Sequence, residues 1–205
     1  MQQPAIYFKT RFPADSADSS LTEADLWMLW NKLHEQNILR VLVISNTVSE
    51  FEDFLHMLLH GEKYVTALYD AETNICLGFA WFEKVTEGTG LIHFSSFKEG
   101  IACFDAIGYA FLEEMFIRNN PAGVSFIHGH IPARYPAVHR FAERMGFVDT
   151  GRFRNYIRKY KDGSERSFPA KVYATHVAYL RKHLEKISQN VKAKIMPCPN
   201  SNQPI

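Results

Sequence analysis

One stretch of the sequence, residues 124–147, constrains the fold more than any other. It begins with an alternating apolar run, passes through a turn bounded by Pro132 and Pro136, and ends in a segment of helical spacing that stops at Gly146. The alternating run is apolar on both faces, which is typical of a buried strand at the centre of a sheet. A proline suits the first helical turn and a glycine suits the end of a helix. A buried strand followed by an amphipathic helix predicts one half of a β-α-β unit.

The segments on either side predict the remaining elements. Upstream, the patterns predict a first strand, two amphipathic helices, three antiparallel strands joined by hairpins, and an amphipathic crossover helix. The three hairpin strands are KYVTALYD, ICLGFAWFEKV and LIHFSSF. Downstream, RFRNYIRKY and AKVYATH predict a hairpin with a turn at Asp162 and Gly163, and a last helix follows.

These elements predict an α/β (α+β) fold with a mixed, mostly antiparallel central sheet, one parallel β-α-β crossover and flanking helices. We expect a single domain over residues 1–187. Residues 188–205 lack periodicity and contain three prolines, so we expect a disordered tail there.

Composition restricts the classes of partner. The chain has 46% hydrophobic and 22% charged residues, as an ordinary globular protein does. A formal net charge of +1 provides no field that favours nucleic acid or a membrane. Between positions 134 and 171 there are ten basic and four acidic residues. This excess of positive charge could attract phosphates, but a solvated surface is the simpler interpretation. The opening residues lack a signal-peptide core, and no run has the ~18 apolar residues of a membrane span, so we expect a cytoplasmic protein.

The order of the elements, together with the segment RMGF followed by VDTGRFRN, resembles the GNAT superfamily of N-acetyltransferases. The likeness covers residues 5–175. It implies that the third hairpin strand and the strand after the crossover helix separate and hold acyl-CoA between them. The cofactor's pyrophosphate would lie on backbone amides at the start of the crossover helix, where the helix dipole favours anions. The stretch IPARYPAVHRFAERMGF followed by GRFRN also resembles GNAT-like proteins among tailed-phage structural genes.

The resemblance assigns the pyrophosphate to residues 97–102, FKEGIA, the counterpart of a Gln/Arg-x-x-Gly-x-Gly/Ala pattern. Gly100 and Ala102 match that pattern, whereas Phe97 replaces a polar residue and Glu99 adds a negative charge. The expected cofactor is acetyl-CoA or another acyl-CoA. The candidate cofactor-binding residues are Phe97, Lys98, Gly100, Ile101, Ala102 and Arg134.

Amide formation needs a base for the amine and a proton for the departing thiolate. Neighbouring strands could present His93 and His128 to one crevice as bases, although hydrogen-bonded structural histidines are the simpler interpretation. Many family members have a tyrosine acid four residues before the Gly-Phe stop, where this chain has Ala142. Tyr135 is the remaining candidate acid. The candidate catalytic residues are therefore His93, His128 and Tyr135.

Two hypotheses of function remain open. The first is an N-acyltransferase that moves an acetyl or acyl group from acyl-CoA to an unidentified amine, carried by a small molecule or a protein. The second is a GNAT-fold protein without catalysis that acts as an assembly or regulatory partner. Phe97 and Ala142 are the residues that weaken the first hypothesis.

Two further patterns have a functional and a structural interpretation. His128 and His130 share a strand face at a spacing that a metal could use, but no second cluster of fixed spacing accompanies them, so we assign no metal site. Aromatic residues point to several sides of the crossover helix, which indicates burial on more than one side or a homodimer contact.

Overall fold

The computed structural model describes residues 6–11, 20–39, 48–61, 63–118, 120, 123–159 and 164–191. The strands in chain order are β1 (Ile6–Arg11), β2 (Lys63–Asp70), β3 (Cys76–Thr86), β4 (Thr89–Ser96), β5 (Phe126–Pro132), β6 (Val148–Lys159) and β7 (Glu165–His176). The helices in chain order are α1 (Glu23–Glu35), α2 (Phe51–Leu59), the crossover helix α3, α4 (Pro136–Arg144) and α5 (Val177–Val191). The helix α3 has a 3₁₀ start (Lys98–Cys103), an α-helical middle (Phe104–Leu112) and a π-helical end (Glu113–Arg118).

The strands form one sheet in the order β1-β2-β3-β4-β5-β7-β6. Neighbouring strands are antiparallel except for β4 and β5, which are parallel because α3 connects them. The prediction of a mixed, mostly antiparallel sheet with one parallel crossover is therefore confirmed. The three hairpin strands also occupy the predicted segments.

The first two helices cover one face of β2 and β3. A capping box starts α1, since Thr22 accepts a hydrogen bond from the Asp25 amide and the Asp25 carboxylate accepts one from the Thr22 amide. The apolar face of α1 is buried and packs with α2 against the sheet. This face consists of Leu26, Leu29, Trp30 and Leu33.

The crossover helix packs on the opposite face, and its aromatic residues are buried within the chain. Phe116 contacts Phe82 of the sheet, and Phe104 contacts Phe141 of α4, with ring centroids 5.1 and 4.2 Å apart. The helix therefore lies between the sheet and α4. Burial on more than one side, one of the two interpretations of its aromatic pattern, is therefore what the structure shows.

The glycine that ends α4 is required by both backbone and packing. Gly146 has φ of 89°, a left-handed conformation that favours glycine. Its amide donates to the Glu143 carbonyl, and the next amide, of Phe147, donates to the Ala142 carbonyl. A Cβ at this position would lie 2.7 Å from His183 of α5. The predicted helix stop thus also positions α5 against α4.

The prediction that β5 is buried on both faces is wrong for one face. Ile127 is fully buried towards α3, but Phe126 is 50% exposed, and His128 and His130 are half-buried. The reason is that α1 and α2 pack on β2 and β3 and end short of this part of the sheet. One face of β5 therefore remains accessible, which composition alone does not reveal.

Some predictions lie at the limits of the described residues. The predicted turn at Asp162 and Gly163 falls outside them. The last helix continues to Val191, and residues 192–205 of the predicted tail also fall outside. Within the described ranges, no helix combines the length and the apolar character that crossing a membrane requires.

Candidate functional site

The site is a gap between β4 and β5. The two strands pair at only three positions, and the last pair joins Leu91 to His128. Beyond it, β4 continues to Ser96 on β3, and β5 continues to Pro132 on β7. The strands separate because each keeps its outer partner, which leaves a wedge open towards the start of α3.

The wedge opens into a cavity of about 320 Å³ between α3 and α4. Its lining is mainly apolar and includes no Asp, Glu, Lys or Arg among the described residues. The lining residues are Ile38, Ile92, His93, Phe94, Ser95, Ser96, Phe104, Gly108, Phe111, Leu112, Gly129, His130, Ile131, Pro132, Tyr135, Val138, Phe141, Ala142, Met145, Phe147 and Tyr173. A cavity of this size and polarity suits a small, largely uncharged ligand group.

The two lips of the wedge also carry backbone polar groups. From Ile92 on β4 and from Gly129 on β5, the edges that face the gap have no strand partner in the part of the chain that the structure describes. Backbone amides and carbonyls on such an edge pair readily with an added extended chain. The wedge can therefore hold an extended ligand that carries amide groups.

The structure places the candidate base His93 on the open part of β4. Its ring stacks on Trp81, with ring centroids 4.3 Å apart. Burial lowers the pKa of His93 to about 3. Repulsion from three groups acts in the same direction, namely His130, Lys63 and His128. His93 is therefore neutral at pH 7 and a weak base.

The other candidate base, His128, lies at the closed end of the wedge. It occupies the last paired position of β5, and its ring hydrogen-bonds to the Gly90 backbone. Burial lowers the pKa of His128, although this hydrogen bond opposes the shift. His128 is not among the residues that line the cavity, whereas His93 is.

His130 lines the cavity, although its spacing in the sequence suggested only a possible metal ligand. It lies two residues beyond His128 on the same strand face, past the point where β4 and β5 separate. Its pKa is lowered by burial and then by repulsion from His128. The spacing of the two histidines was the only sequence signal for His130. That it lines the cavity depends on where β4 and β5 separate, which the sequence does not specify.

Tyr135 lines the cavity at the start of α4 and is partly exposed. The guanidinium of Arg134 lies over its ring, 4.9 Å from the centroid. Ala142, which stands where many family members have a tyrosine, is buried in the cavity wall. Tyr173 also lines the cavity, but its hydroxyl donates to Glu143 at 3.1 Å. Of the two tyrosines that line the cavity, Tyr135 is therefore the more exposed.

The loop assigned to the cofactor forms the 3₁₀ start of α3. Phe97 is fully buried, while Lys98, Ile101 and Ala102 are exposed. Gly100 is buried against β3, and a Cβ there would lie 2.3 Å from the Leu77 carbonyl oxygen. The glycine is therefore needed for packing, whatever the loop binds.

The described residues show no group of three or more histidine, cysteine, aspartate or glutamate side chains arranged to hold a metal ion. The pair His128 and His130 lies within ring contact, 5.4 Å between centroids. His93 lies close enough for both histidines to influence its pKa, and burial lowers the pKa of all three imidazoles.

Comparisons with known proteins connect this geometry to a fold. No protein-family model and no curated protein matches the chain. Among solved structures, spermidine N-acetyltransferase from Vibrio cholerae in complex with CoA and spermine has a TM-score of 0.60 at 14% identity, over 85% of this chain and 98% of that chain. A chimera of the Vibrio cholerae enzyme SpeG and hSSAT has a TM-score of 0.61 at 15% identity, over 85% and 99% of the two chains. These similarities show that the chain has the GNAT fold.

Proposed function

We propose that this chain is an N-acyltransferase that transfers an acetyl or acyl group from acyl-CoA to an amine. The observation that carries the proposal is the separation of β4 and β5 after Leu91 and His128, which opens a cavity of about 320 Å³. A solved structure of the same fold holds CoA. Binding of an acyl-CoA donor agrees with the cytoplasmic location expected from the sequence.

The donor's acyl-pantetheine arm fits the wedge. The arm is an extended chain with two amide groups, and the wedge offers unpaired strand edges at Ile92 and Gly129. The acyl group and thioester would then lie against the apolar walls formed by α3 and α4. Burial in such a site excludes water, which protects the thioester from hydrolysis.

The reaction needs two proton transfers. The amine nitrogen attacks the thioester carbonyl and loses a proton, while the carbon–sulfur bond breaks and the thiolate gains one. We assign the amine's proton to the imidazole of His130, which lines the cavity together with His93 and contacts the ring of His128. We assign the thiolate's proton to the hydroxyl of Tyr135, which lines the cavity.

The acceptor does not follow from the fold. The Vibrio cholerae structure holds spermine, a polyamine, but the wedge here presents no carboxylate among the described residues to bind a cationic chain. Among the groups that lower the pKa of His93 is the cation of Lys63. We propose an acceptor whose body is uncharged and whose amine enters from the open face of β5.

Thermal unfolding with acetyl-CoA tests the binding step. A ligand at a hundred times its Kd adds about 2.7 kcal/mol, which raises the midpoint of a domain of this size by about 5–11 °C. Gly129→Val should abolish the shift because its side chain extends into the wedge, where a Cβ alone makes only an ordinary contact, 3.5 Å from Ile92; the unfolding transition of the variant without ligand shows whether it folds. Ala137→Val, on the exposed side of α4, is the matched control. No shift for the wild-type protein at millimolar acetyl-CoA would refute the proposal.

Thiol release from acetyl-CoA, measured with a panel of primary amines, tests the transfer step. Tyr135→Phe should lower kcat by about 100-fold without raising KM, because the ring that contacts Arg134 is kept and only the proton donor is lost. Tyr179→Phe, an exposed tyrosine on α5, is the control.

The second hypothesis, a GNAT-fold protein that binds without catalysis, is favoured by two observations. Ala142 cannot donate a proton, and the pKa of His93, about 3, makes it a weak base. Under this hypothesis, acetyl-CoA shifts the unfolding midpoint but no amine in the panel releases thiol. The two experiments together therefore distinguish the hypotheses.

A further inference from the structure

Backbone amides at the start of α3 are already hydrogen-bonded within the chain. The amide of Phe97 donates to the Leu77 carbonyl at 2.9 Å, and the amide of Lys98 donates to the Gln36 side chain at 2.8 Å. The carboxylate of Glu99 lies close enough to its own amide for that amide to help lower its pKa. Two of the donors that normally make a helix start an anion site, the amides of Phe97 and Lys98, are thus already used.

The next amides are used within the helix itself. Gly100 donates to the Phe97 carbonyl at 2.9 Å. In the 3₁₀ segment, Ile101 and Ala102 donate to carbonyls three residues earlier. The amides of Gly100, Ile101 and Ala102, which belong to the loop that the resemblance assigned to the pyrophosphate, are therefore hydrogen-bonded within the chain.

A carboxylate also occupies this region. Glu99 accepts hydrogen bonds from the ammonium of Lys32 at 2.7 Å and from the Gln36 amide at 3.1 Å. Burial raises the pKa of Glu99, but the hydrogen bonds from Lys32, its own amide and Gln36 outweigh burial, and the net pKa is lowered. Glu99 is thus ionised at pH 7.

The ammonium group of Lys32, beside Glu99, also has several partners within the chain. Besides its bond to Glu99, Lys32 donates to the Cys76 carbonyl at 3.2 Å and lies over the Phe97 ring, 5.0 Å from the centroid. Both Lys32 and Gln36 belong to the end of α1 and its cap. The contacts therefore attach α1 to the start of α3 and leave an internal ion pair where a diphosphate would need a positive field.

We infer that the acyl donor is recognised through its acyl-pantetheine arm in the wedge, and that the diphosphate of CoA makes no bond to the start of α3. The inference rests on the proposed function, since it concerns the donor of that reaction. The ligand class is a pantetheine thioester, whether or not the arm is attached to the nucleotide of CoA. Glu99 and Gln36 determine this specificity because they occupy the helix start.

Calorimetric titration with two donors of identical arm tests the inference. Acetyl-CoA and acetyl-pantetheine, which lacks the phosphorylated nucleotide, should bind with Kd values within tenfold of each other. Acetyl-CoA binding more than tenfold tighter would overturn the inference while leaving the proposed function intact. Binding of neither donor would remove the proposed function, and the inference with it.

Glu99→Gln sharpens the test. This substitution keeps the side-chain shape, removes the negative charge and leaves Lys32 available to a diphosphate. The Kd of acetyl-CoA should fall at least threefold, and that of acetyl-pantetheine should not change. Glu113→Gln is the matched control, because Glu113 also forms an ion pair on α3 and is similarly exposed, 29% against 32%. Equal effects on the two donors, or no effect on acetyl-CoA, would overturn the role of Glu99.

Discussion

The two ends of the gap between β4 and β5 differ in what fills them. At the closed end, Gly90 lies under the ring of Phe82, so that a Cβ there would come within 1.7 Å of a ring carbon. At the open end, a Cβ on Gly129 would lie 3.5 Å from Ile92, an ordinary contact. The closed end is packed like a protein core, and the open end has room for a ligand. Stability should therefore depend on the first and binding on the second.

The largest expected effect is on stability at the closed end. Gly90→Ala should lower the free energy of unfolding by about 3 kcal/mol, because the buried Phe82 ring would have to move. Gly129→Ala should instead raise it by about 0.5 kcal/mol, because alanine restricts the unfolded chain without straining the strand. Urea unfolding of the two variants measures the difference. Similar values would show that the closed end is no more tightly packed than the open end.

A smaller effect is expected from pH, through His93 at the open end. Its pKa in the folded protein, about 3, lies below the usual value of 6.5, so the unfolded chain binds more protons between these values. Stability is therefore fully present above pH 6.5 and decreases as the pH falls towards 3. The loss between pH 7 and pH 5 should be up to about 2 kcal/mol.

A pair of variants assigns this acid sensitivity. His93→Phe keeps a ring on Trp81 but removes the titrating group, so urea unfolding should show a smaller loss of stability between pH 7 and pH 5. His60→Phe, at an exposed position, should behave like the wild-type protein. An unchanged acid sensitivity in His93→Phe would mean that the open end is well solvated.

The charge of the open end can be tested with acceptors. Because no lining carboxylate is present among the described residues, spermidine should have a kcat/KM at least about tenfold below that of hexylamine, a difference of about 1.4 kcal/mol. Thiol release from acetyl-CoA at pH 7 measures both values. A higher kcat/KM for spermidine would instead indicate acidic groups close enough to the wedge to bind a polyamine.

The smallest effect is expected at the outer wall of the cavity. Arg144 of α4 binds Asp105 of α3 through two hydrogen bonds of 2.7 and 2.8 Å, but both side chains are about half exposed. Arg144→Ala should lower the free energy of unfolding by less than about 1 kcal/mol, because solvent screens such pairs. A double-mutant cycle with Asp105→Ala measures the coupling. A coupling above that value would mean that the ion pair, and not apolar packing, holds α3 and α4 together around the open end.

The elements that the sequence predicted well are those with strong local signals. The hairpin strands β2, β3 and β4 follow from alternation and turn residues, and α4 follows from its proline start and the Gly146 stop. The order of these elements, together with the segment RMGF followed by VDTGRFRN, predicted the GNAT fold. The exposed face of β5 was not predicted. An apolar strand is predicted to be buried on both faces, whether or not a helix covers each of them.

The sequence by itself determined the types and order of the elements, since capping, periodicity and turn residues act over a few positions along the chain. Only the tertiary structure decided that His130 lines the cavity, because that depends on where β4 and β5 separate. It also decided that the Lys98 amide bonds to Gln36, a residue 62 positions earlier. Such contacts depend on how α1 packs against α3, and no local pattern in the sequence specifies that packing.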